Sequence, residues 1–251
     1  MNKFISKQSV AIWYTLSALL ATFLVGQVIL WCFPDRTSMG ASLLFILMNL
    51  IPMIVAAVFS LVLREVNSLG EFFKKVFLQK ESSLSWILAF FIPVIYYGIS
   101  ILLMNVRFTG NSLLAFFIYF PWTLLYGDLE EVGWRWFLQD HLSYSKHFIP
   151  KMMLLSIVWF LWHIPIYQLP WITAGSSNYL IFYLMILGNA FLFGALKEYS
   201  KGAVPCILAH MLIDSLAVLM LVQSSLPQII LLVIFEILVA SWLVAARKSE
   251  K

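Results

Sequence analysis

Eight stretches of about 20 apolar residues, separated by short polar segments, constrain this chain more than any other feature. A helix of that length crosses the hydrocarbon core of a bilayer and satisfies its own backbone hydrogen bonds there. The stretches lie at 9–33, 41–63, 84–105, 112–139, 150–169, 178–196, 202–222 and 227–246. The sequence therefore predicts an all-α polytopic membrane protein with eight transmembrane helices, in which residues 1–251 form a single integral membrane domain.

The composition excludes several other classes of protein. The 251 residues are 62% apolar and only 11% charged, whereas a soluble domain carries about 25% charged residues. Intrinsic disorder is also excluded, because it requires low hydrophobicity and high net charge, and this chain has neither. A net charge of +4, spread along the chain, is too small for a nucleic-acid-binding surface. Cys32 and Cys206 are far apart in apolar surroundings, which predicts buried thiols rather than a disulfide framework.

The lysines and arginines outside the apolar stretches divide unequally between the two sides of the membrane. With eight crossings both termini share one side, and that side receives Lys3, Lys7, Arg64, Lys74, Lys75, Lys80, Lys146, Lys151, Lys197, Lys201, Arg247, Lys248 and Lys251. Arg36 and Arg107 fall on the other side. Cytoplasmic loops carry an excess of Lys and Arg, so we predict that both termini are cytoplasmic. One crossing more or fewer would mix the two groups.

The first apolar stretch follows Lys3 and Lys7 and is longer than the apolar region of a signal peptide, so we expect a retained anchor. The small size and the absence of a targeting extension favour a bacterial plasma membrane. The segment 64–83 is the longest predicted loop. Its apolar residues lie beside Lys74, Lys75 and Lys80, and their spacing favours a short amphipathic helix on the anionic cytoplasmic surface. An ordinary basic loop is the alternative.

Ionisable residues inside the apolar stretches are the candidate functional residues, because such groups are costly at bilayer depth. They are Asp128, Glu130, Glu131, Arg135, His163, His210, Asp214 and Glu236. Counted from the nearest charged residue at the cytoplasmic side, four of them lie about 14 to 20 Å deep. These four are Glu130, His163, His210 and Asp214. Three predicted helices thus deliver two carboxylates and two imidazoles to the same depth, near the middle of a core about 30 Å thick.

Helix geometry divides these residues further. Glu131 and Arg135 are four residues apart and share a face, so we expect them to pair, with Asp128 nearby. Glu130 projects about 100° away from Glu131 and stays free for chemistry. His210 and Asp214 also share a face and can line one cavity.

Each of these residues has a structural explanation as well. A single intramembrane histidine is more often a packing residue than a catalyst, and a Glu–Arg pair often only holds helices together. Glu236 stands alone on the last stretch. It could line the cavity, cap a neighbouring helix or sit protonated in a packed interface.

Three motifs resemble those of a known family. They are Glu130-Glu131-Val132-Gly133-Trp134-Arg135, Trp159-Phe160-Leu161-Trp162-His163 and His210-Met211-Leu212-Ile213-Asp214. Their order resembles the EExxxR, FxxxH and Hxxx(N/D) motifs of the CPBP family (CAAX protease and bacteriocin-processing, also called Abi) of intramembrane endopeptidases. The resemblance covers about residues 112–222. Trp159 departs from the usual Phe, and we expect this departure to affect only local packing.

The resemblance implies a role for each motif residue. Glu130 and His163 match the pair that activates water in relatives of the prenyl-protein endopeptidase. His210 and Asp214 match the residues assigned to stabilising the oxyanion, and Glu131 and Arg135 match supporting positions. Amide hydrolysis does need a base for water, a donor for the oxyanion and a proton for the leaving amine. No GxSxG nucleophile motif is present in the sequence.

The cofactor remains open at this point. Glu130, His163, His210 and Asp214 are acceptable ligands for a divalent metal such as zinc. The sequence has no HExxH motif, and the resemblance favours a metal-free glutamate mechanism. We therefore favour no cofactor, and a divalent metal such as zinc held by these four residues is the alternative.

Three functions are consistent with these residues. The first is an intramembrane endopeptidase whose substrate, a peptide or membrane-associated protein, enters through a lateral or cytoplasmic opening, with bacteriocin processing as the family analogy. Prenylated CAAX proteins are generally absent from bacteria, so we expect a different substrate. The second is a proton-coupled transporter, although no inverted-repeat hydropathy is seen. The third is a catalytically silent membrane scaffold or bacteriocin-immunity protein. No nucleic-acid partner is expected.

Overall fold

Helices make up most of the structure, a computed structural model that describes residues 6–33, 38–103, 106–143, 147–169, 171–172, 178–222 and 225–249. The longer helices are α1 (Lys7–Cys32), α2 (Met39–Val62), α4 (Ser83–Leu102), α7 (Phe148–Tyr167), α8 (Tyr179–Tyr199) and α10 (Leu226–Ser249). The shorter helices are α3 (Leu69–Phe77), α5 (Leu113–Tyr126), α6 (Gln139–His141) and α9 (Val204–Leu216). Strands β1 (Val106–Phe108) and β2 (Met220–Val222) form one antiparallel ribbon, with Arg107 opposite Leu221.

The membrane-protein class is confirmed by the lengths and apolar character of these helices. Six of them are long and apolar enough to cross a membrane, and α5 and α9 are shorter apolar helices. The long helices pack as neighbours, with α1 on α2 and α7, and α8 on α7 and α10. The all-α polytopic fold predicted from hydropathy is therefore correct, and six of the eight predicted stretches contain a helix of spanning length within the described residues.

The fourth predicted stretch, 112–139, is not one continuous helix, and that detail of the prediction is wrong. Helix α5 ends at Tyr126, residues Asp128–Glu130 form one 3-10 turn, and Val132–Leu138 form a π-helix that leads into α6. The irregular backbone is packed against α2 and α9 rather than exposed, which is where a membrane protein tolerates such a break. The break lies where four buried charged residues are concentrated, namely Asp128, Glu130, Glu131 and Arg135.

One end of the molecule, which we call the basic end, gathers most of the described lysines and arginines. The chain reaches it at the start of α1, α4, α7 and α9 and at the end of α2, α6, α8 and α10. Direct contacts connect these termini. The Nε2 of His141 lies 2.9 Å from Glu65 Oε1, and Lys197 Nζ lies 3.1 Å from Asp140 Oδ2. The carboxylate of Glu81 accepts the backbone N–H groups that follow α8. The β1–β2 ribbon lies at the opposite end.

The amphipathic helix predicted within 64–83 is confirmed as α3, at the basic end. Phe72 and Val76 are buried against the protein, and Phe72 meets Trp136 of the π-helix with ring centroids 5.4 Å apart. Leu69 and Phe73 on the other face are exposed. The apolar face thus packs partly on the protein itself. Contact between the exposed face and the lipid surface stays a prediction.

The prediction of two buried thiols is half correct. Cys206 at the start of α9 is buried, whereas Cys32 at the end of α1 is exposed. Both thiols are free. Cys32 is exposed because it is the last residue of α1 and lies on the outer side of that helix.

Gly133 lies where the π-helix packs tightly against helices α1 and α2. A Cβ atom at Gly133 would overlap the Tyr14 hydroxyl and would lie 2.6 Å from Pro52 Cβ. The Tyr14 hydroxyl donates a hydrogen bond to the Pro52 carbonyl, 3.1 Å away. The absence of a side chain at this position therefore sets how deeply the first motif inserts between the two helices.

Replacing Gly133 with Ala is expected to destabilise the fold. Pro52 contributes rigid backbone and ring atoms that cannot rotate away, so the added methyl group overpacks the interface by about 1–3 kcal/mol. The thermal unfolding midpoint of the purified protein in detergent measures this loss. Gly98→Ala in α4 is the matched control, because a Cβ there meets nothing within 4 Å. Equal midpoints for the two variants would contradict the packing described.

The His141–Glu65 pair is expected to make stability depend on pH. Burial lowers the pKa of His141, but the hydrogen bonds to the Glu65 carboxylate and the Phe137 carbonyl outweigh it and raise that pKa from 6.5. A raised pKa in the folded state contributes stability that is complete below pH 6.5 and is lost as pH rises through the folded value. Unfolding midpoints should therefore fall with rising pH above 6.5, and Glu65→Gln should reduce the slope. A slope that the variant does not change would count against the pair.

Candidate active site

A cavity of about 330 Å³ lies between α2, α5, α7 and α9. Its ionisable lining consists of Glu130, His163, His210 and Asp214. The remaining lining is mostly aromatic or apolar: Phe45, Tyr119, Tyr126, Trp162, Ile166, Tyr167, Trp171 and Ile172, together with Asn49 and Gly127. The structure thus brings together, at one cavity, the four residues selected from three separate stretches of sequence.

Glu130 is held at the wall of this cavity by two indole groups. Trp159 Nε1 donates to Glu130 Oε1 over 2.8 Å, and Trp134 Nε1 donates to Oε2 over 3.3 Å. The Glu130 residue is 1% exposed. Each carboxylate oxygen thus has one directed donor, which fixes the plane of the group while leaving further lone pairs for another proton.

The role of Trp159 is missed by the motif comparison. We expected its substitution for Phe to affect only packing, and this is wrong, because the indole N–H makes the shorter of the two hydrogen bonds to Glu130. The guanidinium carbon of Arg135 also lies over the Trp159 ring, 4.5 Å from the ring centroid. A signal was present in the sequence, since a buried Trp generally needs an acceptor for its N–H.

His163 presents a defined ring nitrogen. Its Nδ1 lies 2.8 Å from the carbonyl oxygen of Trp159. A carbonyl only accepts, so Nδ1 carries the proton and Nε2 of the neutral ring is left as the acceptor. The ring stacks on Tyr167, with centroids 5.7 Å apart, and packs against Trp162. These contacts hold an unprotonated ring nitrogen at the cavity wall.

His210 connects the buried acids to the open part of the cavity. Its Nδ1 lies 3.1 Å from Glu131 Oε1, 3.7 Å from Asp128 Oδ1 and 3.9 Å from Glu130 Oε1. Its Nε2 faces the other way, 3.8 Å from Asp214 Oδ1. The Asp214 side chain is 47% exposed, whereas Asp128 and Glu131 are fully buried. The two ring nitrogens of His210 therefore face carboxylate oxygens on opposite sides of the ring.

Glu131 and Arg135 pair as predicted, with Arg135 Nε 3.3 Å from Glu131 Oε2 and both side chains fully buried. The expectation that Glu130 projects away from this pair is wrong, because Glu130 and Glu131 both approach the same His210 nitrogen. The physical reason is the local backbone, which passes from a 3-10 turn at Glu130 into a π-helix at Val132. Neither turn has the α-helical spacing on which the expectation depended.

The carboxylates and His210 form a donor set that could hold a divalent cation. Two groups have their ligand atoms within 4.8 Å of one another: Asp128 with His210 and Asp214, and Glu130 with Glu131 and His210. His163, which the sequence comparison included in the ligand set, belongs to neither group among the described residues. Carboxylate and imidazole ligands suit zinc and similar metals. Glu131 is less suited as a ligand, because it already neutralises Arg135.

Of the three positions considered for Glu236, the structure shows a packed interface between helices. It is fully buried on α10 and lies against Gly188 of α8, where a Cβ would overlap its carboxylate. Its oxygens have no hydrogen-bond partner in the part of the chain that the structure describes. Glu236 is not among the residues that line the cavity.

Comparison with known proteins agrees with this geometry. Residues 111–216 match the family model described as type II CAAX prenyl endopeptidase Rce1-like. No curated protein matches the chain. The matched segment begins just before α5, ends at the last residue of α9, and contains all three motifs. The resemblance to the CPBP family of CAAX-type membrane proteases is thereby confirmed for the segment that carries every ionisable residue of the cavity.

Proposed function

We propose that this protein is an intramembrane endopeptidase that hydrolyses a peptide bond of a membrane-associated peptide or protein with water activated by Glu130 and His163. The observation that carries the proposal is the convergence of Glu130, His163, His210 and Asp214 on one cavity. The family match supports a peptidase within a membrane. The contacts of each side chain indicate its role.

Glu130 and His163 supply the base. A water molecule between the Glu130 carboxylate and the free Nε2 of His163 has two acceptors for its protons, and its oxygen is left to attack the scissile carbonyl carbon. One proton moves to Glu130 as the C–O bond forms. The indole donors hold the Glu130 carboxylate in position before the reaction, so little reorganisation is required.

His210 supplies the oxyanion donor. Its Nε2 faces the open part of the cavity beside Asp214, and an N–H at that position can donate to the oxygen of the tetrahedral intermediate. Asp214 orients the ring from one side, and Glu131 does so through Nδ1 from the other. Glu130 then gives its proton to the amide nitrogen as the C–N bond breaks, which leaves a carboxylic acid and an amine.

Arg135 and Glu131 are positioning residues in this scheme. The guanidinium neutralises Glu131 and lies over Trp159, whose N–H reaches Glu130. Arg135 thus contacts Glu131, which faces His210, and also Trp159, which donates to Glu130. The proposal needs no metal. If the family's alternative mechanism applied, the two carboxylate–imidazole groups around His210 would hold the ion, and it would supply Lewis-acid activation of water.

The proposed setting is a bacterial plasma membrane, with eight crossings and cytoplasmic termini. In this arrangement α5 with the turns that follow it and the short α9 provide the two additional crossings. Helix α5 starts near the β1–β2 ribbon, and α6 ends at the basic end, where His141 contacts Glu65. The substrate partner is a peptide or membrane protein, and processing of a bacteriocin or peptide precursor is the nearest family analogy.

Replacing Glu130 with Gln is expected to slow proteolysis by about 10²–10⁴-fold, because the amide cannot accept a proton from water. The measurement compares new protein termini in membrane fractions of cells that express the wild type or the variant at equal levels. Glu236→Gln is the matched control, since Glu236 is equally buried on a membrane helix but lies outside the cavity. We expect the control to produce the termini of the wild type.

Other outcomes of this comparison point elsewhere. Identical termini for the wild type and Glu130→Gln, with both proteins folded, would contradict the peptidase proposal. A phenotype that survives Glu130→Gln would favour a scaffold or immunity protein. A proton-coupled transporter would instead show altered transport with no change in termini.

Trp159→Phe is expected to slow proteolysis while leaving the protein folded. The variant keeps an aromatic ring under Arg135 but removes the 2.8 Å donor to Glu130. A hydrogen bond to a charged group contributes about 1.5–3 kcal/mol, so we expect roughly a tenfold or greater loss of peptidase rate. Trp134→Phe removes the longer bond of 3.3 Å and should cost less. Equal rates for Trp159→Phe and the wild type would exclude a role for this indole.

A further inference from the structure

We infer that the cavity receives its substrate from the end of the molecule opposite the basic end, so that the scissile bond lies toward the extracytoplasmic surface. This inference rests on the proposed peptidase function for its meaning. It differs from the lateral or cytoplasmic opening expected from the sequence. It is independent of the chemistry, because it depends on where the cavity lies along each helix and on the distribution of charge.

Most of the cavity lining on α2, α7 and α9 lies far from the basic end, although His210 is only six residues from the start of α9. On α2, Phe45 is six residues from the start at Met39, which is about 9 Å along the axis. On α7, Tyr167 is the last residue, and Trp171 follows the helix. Asp214 is two residues from the end of α9 at Leu216. These helix ends all lie opposite the basic end.

Between the cavity and the basic end the protein is tightly packed. Val132, Ile207 and Met211 form a buried apolar cluster with Phe72 and Val76 of α3. Trp134, Phe137 and Leu138 of the π-helix are also buried. Helix α3 covers this cluster, and the backbone N–H of Ala203 donates to the Val76 carbonyl over 2.9 Å. A peptide approaching from the basic end would have to displace these contacts.

Charge assigns the two ends to the two sides of the membrane. The described Lys and Arg residues at the basic end are Lys7, Arg64, Lys74, Lys75, Lys80, Lys151, Lys197, Lys201, Arg247 and Lys248. Arg107 lies at the other end in β1, and Arg135 is buried within the protein. The side with the excess of Lys and Arg is cytoplasmic in membrane proteins. The cavity therefore opens toward the extracytoplasmic side.

This placement specifies a class of substrate. Aromatic walls formed by Phe45, Tyr126, Trp162 and Tyr167 accept apolar side chains. The substrate is then a membrane-anchored peptide with an apolar segment whose cleavable bond lies near its extracytoplasmic end. A lipid-modified carboxyl terminus that stays in the cytoplasm would not reach the reactive groups from that side.

Cysteine labelling in intact cells tests the inference. In a Cys32→Ser background, where Cys206 is buried, single cysteines replace Ser112 at the ribbon end, Ile172 at the cavity and Lys74 at the basic end. The probe is a membrane-impermeant maleimide. We expect Ser112→Cys and Ile172→Cys to react in intact cells, and Lys74→Cys to react only after permeabilisation. Denatured samples of each variant provide the complete-labelling control.

Two results would overturn the inference. Labelling of Lys74→Cys but not Ser112→Cys in intact cells would reverse the assignment of the two ends. Ile172→Cys that reacts only after permeabilisation or denaturation, while Ser112→Cys reacts in intact cells, would show that the cavity does not open at this end. Labelling does not depend on proteolysis. An absence of Glu130-dependent termini together with the expected labelling would therefore overturn the proposed function and leave the direction of access standing.

Discussion

The buried ion pair between Glu131 and Arg135 is the interaction on which the site depends. Both side chains are fully buried, and a lone charge at this depth would be strongly destabilising. The pair is useful beyond its own neutralisation because each partner has a second contact. Glu131 faces His210, and Arg135 lies over the ring of Trp159. Two residues of one motif thereby hold residues of the other two motifs in place.

The break after α5 makes this arrangement possible. A regular α-helix would turn Glu130 and Glu131 toward different neighbours, whereas the 3-10 turn and π-helix bring both toward His210. Single π-helical turns frequently occur at functional sites. The irregular segment requires close contact with its surroundings, and Gly133 provides it against Tyr14 and Pro52. The irregular backbone, the buried charges and the close packing at Gly133 therefore depend on one another.

Much of the fold could be predicted from the sequence because hydropathy and charge act over whole helices. The membrane-protein class and the α3 helix followed from pattern alone, and the Glu131–Arg135 pair followed from a four-residue spacing. The convergence of Glu130, His163, His210 and Asp214 followed from equal depth and from the motifs. What could not be predicted depends on local backbone or on single donors. The shared orientation of Glu130 and Glu131 is one case, and the Trp159 indole is the other.

Glu236 is a residue that the sequence marks as a candidate and the structure places outside the cavity. Its position in an apolar stretch marks it as unusual, but only the structure separates it from the cavity and places it against Gly188. A conspicuous intramembrane charge is therefore not sufficient to identify a reactive group. Glu130 differs from Glu236 in its contacts, because its carboxylate accepts from two indole groups and lies near the His210 imidazole.

A double-mutant cycle on purified protein tests most directly whether Glu130 and His163 act on the same water molecule. Peptidase rates of Glu130→Gln, His163→Asn and the double variant would be measured on a substrate identified from the wild type. Groups that act as one unit are strongly non-additive. If both groups activate one water molecule, the double variant is no slower than the slower single variant. Multiplication of the two losses would show independent roles and would contradict the shared activation of water.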